Sequence, residues 1–556
     1  MQEFLRLKKS NCRNCYKCIR HCPVKSIRFS GNQAHIVGDE CVLCGNCFVI
    51  CPQNAREIRN DVEKAKVLLA SGSPVVASLA PSFSANYEGC GIEDMRRALK
   101  KLGFADAEET ALGATYVKNE YESIMASGMQ QVCISSCCPS VNLLIRRYYP
   151  EALKYLARVV SPMQAHCADI RARYNNAKTV FIGPCIAKKQ EAEEYGDVDC
   201  VLTFAELSRW LQETGIEIEH TGAERIEYSH TRIFPTDGGV IGSMTNRLSD
   251  CRYVSVSGPD NCINALKDIS RGRLSKCFIE MSMCSGSCIG GPAMDKSNQG
   301  AVHEFLTVTD SAGDNDFIVG KKPEMDKAHP YTGVETQMPG NDAVREILRQ
   351  MGKTKPEDEL NCGSCGYNTC REKAVAVYQG KADLTMCMPY LRDKAESFSD
   401  NIINNTPNGI LVLNEQLEVQ QINKAAMRIM NIPDGCSVLG EPVVRLLDPL
   451  DFLSVLNTGK SIRDKRVYLA DYKKYVEETV IMDHSFHIIM CIMRDITMQE
   501  QERQKKEELG RQTVEITDKV VDKQMRVVQE IASLLGETAA ETKIALTKLK
   551  ESLRDE

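Results

Sequence analysis

Short apolar runs alternate with amphipathic stretches over residues 64–342. Segments 74–79 and 179–183 are apolar runs of strand length, whereas 92–102 has the spacing of a helix that buries one face. This alternation predicts an α/β layered domain, in which cysteine motifs follow the apolar runs in loops.

The pattern changes in the last third of the chain. Segments 410–413 and 419–422 read as short strands separated by a polar turn and followed by a helix. Residues 499–556 are charged and contain no proline, and Val514, Val521, Val528 and Leu535 recur at heptad spacing. This spacing predicts a coiled coil or a helix that docks on a partner, with a break at Gly536.

Composition narrows the class of protein. The 556 residues exceed one hydrophobic core, and a net charge of -6 gives no reason to expect nucleic acid as a partner. The 26 cysteines would suit disulfides in an exported chain, but the first residues lack an apolar signal core and no run of about 18 apolar residues follows. We therefore expect a cytoplasmic protein, not a membrane protein, whose reduced thiols bind metal.

Two cysteine runs share one spacing. Residues 12–23 read C-R-N-C-Y-K-C-I-R-H-C-P, and residues 41–52 read C-V-L-C-G-N-C-F-V-I-C-P. This is the bacterial two-cluster ferredoxin pattern, in which the fourth cysteine of each run serves the other cluster. The predicted ligands are Cys12, Cys15, Cys18 and Cys51 for one 4Fe-4S cluster, and Cys41, Cys44, Cys47 and Cys22 for the second.

A further four-cysteine motif follows later. Its cysteines are Cys362, Cys365, Cys370 and Cys387. Four thiolates suit zinc as well as an iron-sulfur cluster. The spacing resembles the small 4Fe-4S modules of electron-bifurcating and corrinoid proteins, which favours a third accessory cluster over zinc.

Three small motifs lie between the two cluster regions. Residues 135–140 read S-S-C-C-P-S, residues 183–191 read G-P-C-I-A-K-K-Q-E, and residues 280–292 read E-M-S-M-C-S-G-S-C-I-G-G-P. Each motif alone is as consistent with buried thiols as with a metal site. Together they resemble the three signature peptides of the iron-only (FeFe) hydrogenases, over residues 60–340.

The resemblance implies an H-cluster, a 4Fe-4S cubane joined to a diiron subsite that carries CO, cyanide and dithiolate ligands and is installed by maturation proteins. Its implied ligands are Cys138, Cys185, Cys284 and Cys288, with Cys288 as the bridge. Lys188 matches the lysine that hydrogen-bonds a cyanide, and Cys137 matches the cysteine that relays protons. Ala80, Pro81 and Ser82 match the loop beside the diiron unit.

The chain departs from the family along the proton path. Ala157 stands where the relay has a serine, and Val117 stands where it has one of two glutamates. Glu120 matches the other glutamate, and Glu191 is retained for a different path. Gly183 and Ser282 replace two methionines near the cluster. We expect an enzyme of low turnover, because a relay needs proton-carrying groups within hydrogen-bond reach.

Residues 398–492 resemble a PAS domain, an α/β module for sensing and dimerisation. His484, His487, Cys436 and Cys491 are interpreted as ordinary surface or core residues rather than cofactor ligands. No kinase, phosphatase or DNA-binding motif follows, so an output would pass to another protein. We expect a homodimer through the PAS domain and helix, and a signalling phosphatase or kinase as partner.

The predicted fold is multidomain, α+β and α/β. Its domains are a two-cluster ferredoxin domain at 1–57, a two-lobed α/β H-cluster domain at 58–345, a small 4Fe-4S module at 346–393, a PAS domain at 394–497 and a helical tail at 498–556.

Three functional hypotheses follow. The favoured one is a sensory hydrogenase that splits H2 into protons and electrons, passes the electrons through its clusters and signals through the PAS domain. The second is a bulk hydrogenase linked to ferredoxin or a similar electron carrier. The third is a non-catalytic iron-sulfur scaffold, against which the retained Cys137, Lys188 and Ser82 argue.

Overall fold

The computed structural model describes residues 4–8, 11–128, 130–220, 229–294, 301–335, 337–433 and 436–552. The chain divides into two compact units, Met1–Leu391 and Arg392–Glu556. The finer division into five domains stays a prediction.

The N-terminal part of the first unit has a repeated ferredoxin-like layout of two short hairpin-like pairs and two short helices. Strand β1 pairs with β4 and β2 pairs with β3, both antiparallel. The elements are β1 (Leu5–Leu7), α1 (Lys17–Arg20), β2 (Ile27–Ser30), β3 (Gln33–Ile36), α2 (Asn46–Val49) and β4 (Arg56–Ile58).

Two parallel sheets form the two lobes of the next part, which confirms the predicted α/β alternation. The elements are α3 (Val62–Leu69), β5 (Val75–Leu79), α4 (Phe83–Asn86), α5 (Ile92–Lys101), β6 (Asp106–Glu109), α6 (Ala111–Ser127), β7 (Val132–Ile134), α7 (Pro139–Tyr148), α8 (Pro162–Arg173), β8 (Lys178–Gly183), α9 (Ala187–Tyr195), β9 (Cys200–Thr203), α10 (Phe204–Thr214), α11 (Gly239–Ser243), β10 (Arg252–Ser257), α12 (Pro259–Ser270), β11 (Cys277–Ser282) and α13 (Ala301–Asp310). The sheet orders are β6-β5-β8-β9 and β10-β11-β7.

The carboxyl ends of these strands carry the predicted site motifs. Strand β5 ends before residues 80–82 and β8 ends before Pro184 and Cys185 in the first lobe, while β7 and β11 end before 135–138 and 283–288 in the second. Parallel strands of an α/β sheet place their carboxyl ends at one edge, where ligands usually bind. Each lobe therefore contributes two of the four loops.

The first unit ends with the third cysteine module. Its helices are α14 (Asn341–Gln350) and α15 (Cys370–Tyr378), and α16 (Met388–Asn405) begins directly after Cys387. Short 3-10 helices of the first unit lie at Pro150–Tyr155, His230–Ile233, Ser287–Gly290, Pro356–Asp358 and Leu384–Met386. Two more lie in the second unit, at Val443–Arg445 and Ala470–Tyr472.

The second unit contains a five-stranded antiparallel sheet of order β13-β12-β16-β15-β14 and a long helix. The two predicted strands and the helix after them are confirmed. The elements are β12 (Gly409–Asn414), β13 (Val419–Ile422), α17 (Lys424–Ile429), α18 (Leu450–Thr458), β14 (Ile462–Leu469), β15 (Lys474–Asp483), β16 (Ile488–Asp495) and α19 (Thr497–Ser552).

One detail of the tail prediction is wrong. Helix α19 continues through Gly536 without a break. A single glycine costs a helix only about 1 kcal/mol relative to alanine, and the flanking residues are good helix formers.

Within the described ranges, no helix is both long and apolar enough to span a membrane.

Candidate functional site

A cavity of about 100 Å³ lies where the loops of the two lobes meet. It brings together most of the residues predicted to form the site. These are Ala80, Pro81, Ser82, Cys137, Cys138, Cys185, Lys188, Ser282 and Cys288.

Local backbone geometry positions the cysteines. Cys138 immediately precedes α7, whose first residue is Pro139, so the helix starts at the cavity wall. Cys288 lies in a 3-10 turn that follows Gly286 at φ 75°, a left-handed conformation that glycine adopts without steric cost. Cys284 lies in the same loop, between the end of β11 and this turn.

The four predicted cubane ligands form one electrostatic group. Burial raises the pKa of the Cys185 thiol to about 11, and Cys138 adds to the increase. Burial also raises the pKa of Cys284 well above its usual range, with Cys185, Cys138 and Cys288 as further causes. Because iron-sulfur clusters bind thiolates, such a group of mutually close thiols fits a cubane that removes the protons on binding.

The cavity also contains polar atoms without partners. The Ser82 hydroxyl and the Oε1 atom of Glu280 are buried and have no hydrogen-bond partner among the described residues. Buried polar atoms are normally bonded, so these two fit a polar group held inside the cavity. The residues present therefore fit an H-cluster, because thiols and unpartnered polar atoms line the same cavity.

Lys188 lies in a buried charge network. Its Nζ atom is 2.7 Å from Glu191 Oε2, and Glu191 also accepts hydrogen bonds from Ser161 at 2.9 Å and Lys327 at 2.5 Å. Burial alone would raise the pKa of Glu191, but Lys188 and Lys327 outweigh it and lower the pKa to about 2. The Lys188 ammonium is thus held at the cavity wall by a carboxylate that stays charged.

The Cys137 thiol lines the same cavity and leads to a short hydrogen-bond chain. Its Sγ atom is 3.2 Å from the Tyr121 hydroxyl, which is 3.0 Å from the Ser136 hydroxyl. Ser136 donates to the backbone carbonyl of Val159 at 2.6 Å. A backbone carbonyl has no proton to pass on, so the chain from Cys137 ends inside the protein. Burial raises the pKa of Cys137 to about 12.

The remaining predicted relay positions do not extend this chain. The side chains of Val117 and Ala157 are fully buried and apolar. Glu120 does not line the cavity, and Lys322 donates to its carboxylate at 2.5 Å. A relay role for Glu120 stays a prediction, whereas Glu191 is brought to the cavity through Lys188.

The second ferredoxin-like cysteine run packs on the central loop. Gly45, between Cys44 and Cys47, has φ 74°, and a Cβ atom there would lie 2.4 Å from Pro292. Cys44 also contributes to the raised pKa of Cys284. The cysteines predicted to bind the second cluster, Cys41, Cys44, Cys47 and Cys22, therefore lie next to the cavity, which suits electron transfer between the two sites.

The third cysteine module packs on the first ferredoxin-like run. Arg20 donates to the carbonyls of Gly363 and Ser364, both at 3.2 Å, and Lys25 donates to the carbonyl of Gly366 at 3.1 Å. Buried Lys373 lies near Cys365 and Cys387, and burial lowers its pKa to about 8. Cationic donors at this contact suit the negative charge of a thiolate-ligated cluster.

The burial of the other flagged residues agrees with their interpretation as ordinary residues. His484, His487 and Cys436 are exposed, and Cys491 is buried in the core of the five-stranded sheet.

Sequence reasoning missed Glu280, Ser161 and Lys327 in and near the cavity. Glu280 stood inside a recognised motif, but Ser161 and Lys327 have no motif, so only the fold reveals them.

Three family models match the chain. Residues 73–292 match "Iron only hydrogenase large subunit, C-terminal domain", residues 4–67 match a 4Fe-4S dicluster domain, and residues 358–389 match an Fe-S cluster family. The last match supports an iron-sulfur cluster, rather than zinc, at the third cysteine module.

Two kinds of relative align with the chain. The periplasmic Fe hydrogenase large subunit of Nitratidesulfovibrio vulgaris is 24% identical over 359 residues, which is 52% of this chain and 85% of the relative. The cytosolic Fe-S cluster assembly factor NAR1 of Encephalitozoon cuniculi is 27% identical over 191 residues, which is 30% of this chain and 52% of the relative.

Solved structures align with parts of the chain. An FeFe-hydrogenase from Chlamydomonas reinhardtii covers 50% of this chain and all of its own, at 15% identity and a TM-score of 0.40. The PAS domain of nitrogen regulation protein NR(II) from Vibrio parahaemolyticus covers 18% of this chain, at 22% identity and a TM-score of 0.16.

The hydrogenase match covers all four loops that surround the cavity, and the dicluster match covers the ferredoxin-like runs. With the aligned hydrogenase subunit, these matches identify the chain as an iron-only hydrogenase-like protein.

Proposed function

We propose that this protein is a sensory FeFe-hydrogenase, which equilibrates slowly with H2 and reports the result to a partner protein. The observation that carries the proposal is the mismatch around Cys137. Three of the four ligand cysteines, Cys138, Cys185 and Cys288, line one cavity together with Lys188 and Cys137. The hydrogen-bond chain from Cys137, by contrast, ends at the Val159 carbonyl. Binding groups are retained while fast proton exchange is not supported.

The residues have distinct roles in this mechanism. Cys138, Cys185, Cys284 and Cys288 would hold the cubane of an H-cluster, which supplies reversible H2 cleavage when bound. Lys188 orients a ligand through its ammonium, and Glu191 keeps that ammonium charged and in place. Cys137 exchanges a proton with the cavity. Pro81 and Phe181 exclude water from the cavity wall.

Electrons would leave through the ferredoxin-like runs and the third module. Packing supports this order of electron transfer, because Cys44 lies next to Cys284 and the loop at 363–366 lies against Arg20 and Lys25. Three accessory 4Fe-4S clusters would then connect the cavity to the surface and to ferredoxin or a similar carrier.

The second unit would convert the redox state into a signal. Its sheet and helices support the PAS assignment by element order. The 56-residue helix α19 exposes the apolar heptad positions from Val514 to Leu535. A homodimer through α19 and a phosphatase or kinase as partner are the outputs that such a helix suits. The reduced thiols suit a cytoplasmic setting.

A second candidate is a non-catalytic iron-sulfur scaffold. The similarity to the assembly factor NAR1 favours it. The cavity argues against it, because a scaffold without the diiron subsite has no use for Lys188 or for the unpartnered Ser82 hydroxyl. A bulk hydrogenase is disfavoured by the interrupted path at Val117 and Ala157.

Infrared spectroscopy tests the proposal. Full-length protein produced with the diiron maturation proteins is expected to show CO and cyanide stretching bands that change under H2. Production without those proteins is the control and should show no such bands. A complete 4Fe-4S complement without CO or cyanide bands under both conditions would favour the scaffold.

A further inference from the structure

A line of buried polar side chains leads away from the central cavity. The Thr110 hydroxyl lies 2.7 Å from the Ser78 hydroxyl, which lies 2.8 Å from His166 Nδ1. His166 Nε2 lies 3.3 Å from Glu108 Oε2. These four residues form one continuous hydrogen-bonded chain.

The two ends of this chain open on different cavities. Thr110 lines the central cavity. Glu108 lines a second cavity of about 520 Å³ together with Arg173, whose side chain is 42% exposed. The middle of the chain is dry, because Ser78 and His166 are both 0% exposed. The chain therefore joins the central cavity to the protein surface through the first lobe.

The donors and acceptors along the chain have a consistent direction. Glu108 is bonded by Arg173 and His166, which outweigh the effect of burial and hold the pKa of its carboxyl well below the usual range. A carboxylate only accepts hydrogen bonds, so the proton of a neutral His166 ring lies on Nε2 and Nδ1 accepts from Ser78. Ser78 in turn accepts from Thr110. Every group then donates outward, away from the central cavity.

A metal site is the main alternative for this cluster. Glu108, His166 and Asp169 lie close enough to share an ion. However, Arg173 already donates to Glu108 Oε1 at 2.9 Å and to Asp169 Oδ2 at 2.8 Å. The guanidinium bridges the two carboxylates and offsets one of their two negative charges, which weakens the case for a cation there.

We propose that Thr110, Ser78, His166 and Glu108 form a proton route between the central cavity, where Cys137 exchanges protons, and the second cavity, in place of the interrupted path beyond Cys137. The proposal rests on the proposed function, because only H2 chemistry in the central cavity would produce protons there.

Each step of the route is a balanced proton transfer. Thr110 takes a proton from the cavity and gives its own hydroxyl proton to Ser78, which gives one to His166 Nδ1. His166 gives its Nε2 proton to Glu108, and Glu108 releases a proton to water in the second cavity. One proton enters and one leaves, with no change in oxidation state.

The route resets slowly after each outward transfer. His166 is left with its proton on Nδ1, and the ring must exchange tautomers before it can pass another proton in the same direction. A fully buried ring with partners on both nitrogens has little freedom to do so. A reverse transfer restores the original tautomer directly, so the route suits a site that equilibrates with H2 rather than one with fast net turnover.

Time-resolved infrared spectroscopy on full-length protein with the diiron unit tests the route. The measured quantity is the rate at which the CO and cyanide bands change after H2 is added, in H2O and in D2O. We expect Thr110→Val and His166→Gln to slow this change about 100-fold, as for loss of an acid-base group. Glutamine can keep both hydrogen bonds of His166, but its amide does not relay protons at neutral pH.

Two further variants separate a proton route from structural damage. Thr115→Val is the matched control, because the buried Thr115 hydroxyl bonds to Thr231 and Ala111 outside the chain, and its rate should equal that of wild type. Thr110→Ser keeps the hydroxyl and should restore most of the rate. In all variants the bands themselves should stay at wild-type frequencies before H2 is added.

The outcomes distinguish the two proposals. Wild-type protein without CO and cyanide bands would refute the proposed function and, with it, the route. Wild-type protein with those bands, together with unchanged rates in Thr110→Val and His166→Gln, would refute the route alone. Equal slowing in Thr115→Val would assign the effect to packing and also overturn the route.

Discussion

The Nζ atom of Lys188 lies 2.7 Å from Oε2 of Glu191, one turn further along α9, and both side chains are buried beside the central cavity. Lys327, far away in sequence, bonds the other carboxylate oxygen of Glu191. One buried carboxylate therefore bonds two buried ammonium groups.

Glu191→Gln is expected to destabilise the first unit by about 3–5 kcal/mol, because it leaves two buried cations without their counterion. Denaturant midpoints under anaerobic conditions measure the change. Glu193→Gln on the same helix is the control, since Glu193 is partly exposed and pairs with Arg59, and we expect about 1 kcal/mol or less. Equal effects of the two changes would contradict the role of the buried network.

Cys137→Ala and Cys138→Ala are expected to differ although the residues are adjacent. The first should keep the CO and cyanide bands but lower H2 turnover about 100-fold to 10,000-fold, because one positioned acid-base group is lost. The second should lose the cluster, because a ligand thiolate is removed. Infrared spectra and H2 production with a reduced dye measure both. Full activity of Cys137→Ala would assign proton exchange in the cavity to other groups.

Iron analysis tests the cofactor complement. Three accessory 4Fe-4S clusters and a six-iron H-cluster predict about 18 iron atoms per chain in reconstituted protein with the diiron unit installed. Cys365→Ser should lower the iron content by up to about 4 atoms without loss of the CO and cyanide bands. A value near 14 in the unmodified chain, with one zinc that Cys365→Ser removes, would instead indicate a zinc module.

The pH dependence of the second unit is expected to follow Glu478. Burial and the neighbouring Asp451 raise its pKa from 4.5 to about 7, so the folded unit keeps a proton that the unfolded chain loses at lower pH. Its stabilising contribution is complete below pH 4.5 and is lost as the pH rises to 7, at most about 1.4 kcal/mol per pH unit.

Glu478→Gln should flatten this dependence and stabilise the second unit at pH 8, because glutamine can donate to Asp451 without a charge. The full chain is incubated in urea, and proteolysis within residues 392–556 reports the midpoint at which the second unit unfolds. Glu477→Gln is the control, because Glu477 precedes Glu478 on β15 and faces the opposite side of the sheet. A steeper slope for Glu478→Gln would overturn the assignment.

Signalling predicts a difference in the second unit between redox states. Hydrogen-deuterium exchange of α19, or its affinity for a partner kinase or phosphatase, should differ between protein under H2 and protein with an oxidising mediator, typically by about 1–3 kcal/mol of coupling. A chain truncated after Leu391 should retain its slow H2 activity. Identical exchange of α19 in both states, with fast H2 production, would instead indicate a bulk hydrogenase.

The sequence by itself predicted the metal ligands. Cysteine spacing is a local property, because ligands of one cluster must reach the same iron atoms from a short loop, and the runs at 12–23 and 41–52 carry that constraint in the chain. The strands and helices followed in the same way from periods of two and of three to four residues. The predicted break at Gly536 was wrong because the helix-breaking tendency of one glycine is weaker than the helix-forming tendency of the residues that flank it.

Only the tertiary structure decided how charge and protons are handled around the ligands. Lys327 meets Glu191 across 136 residues, and Ser78 meets His166 across 88. Neither pair has a motif, because a buried hydrogen bond requires proximity in space and sets no spacing along the chain. The sequence therefore predicts a ligand set, while the buried counterion of Lys188 and the proton route through His166 depend on tertiary packing.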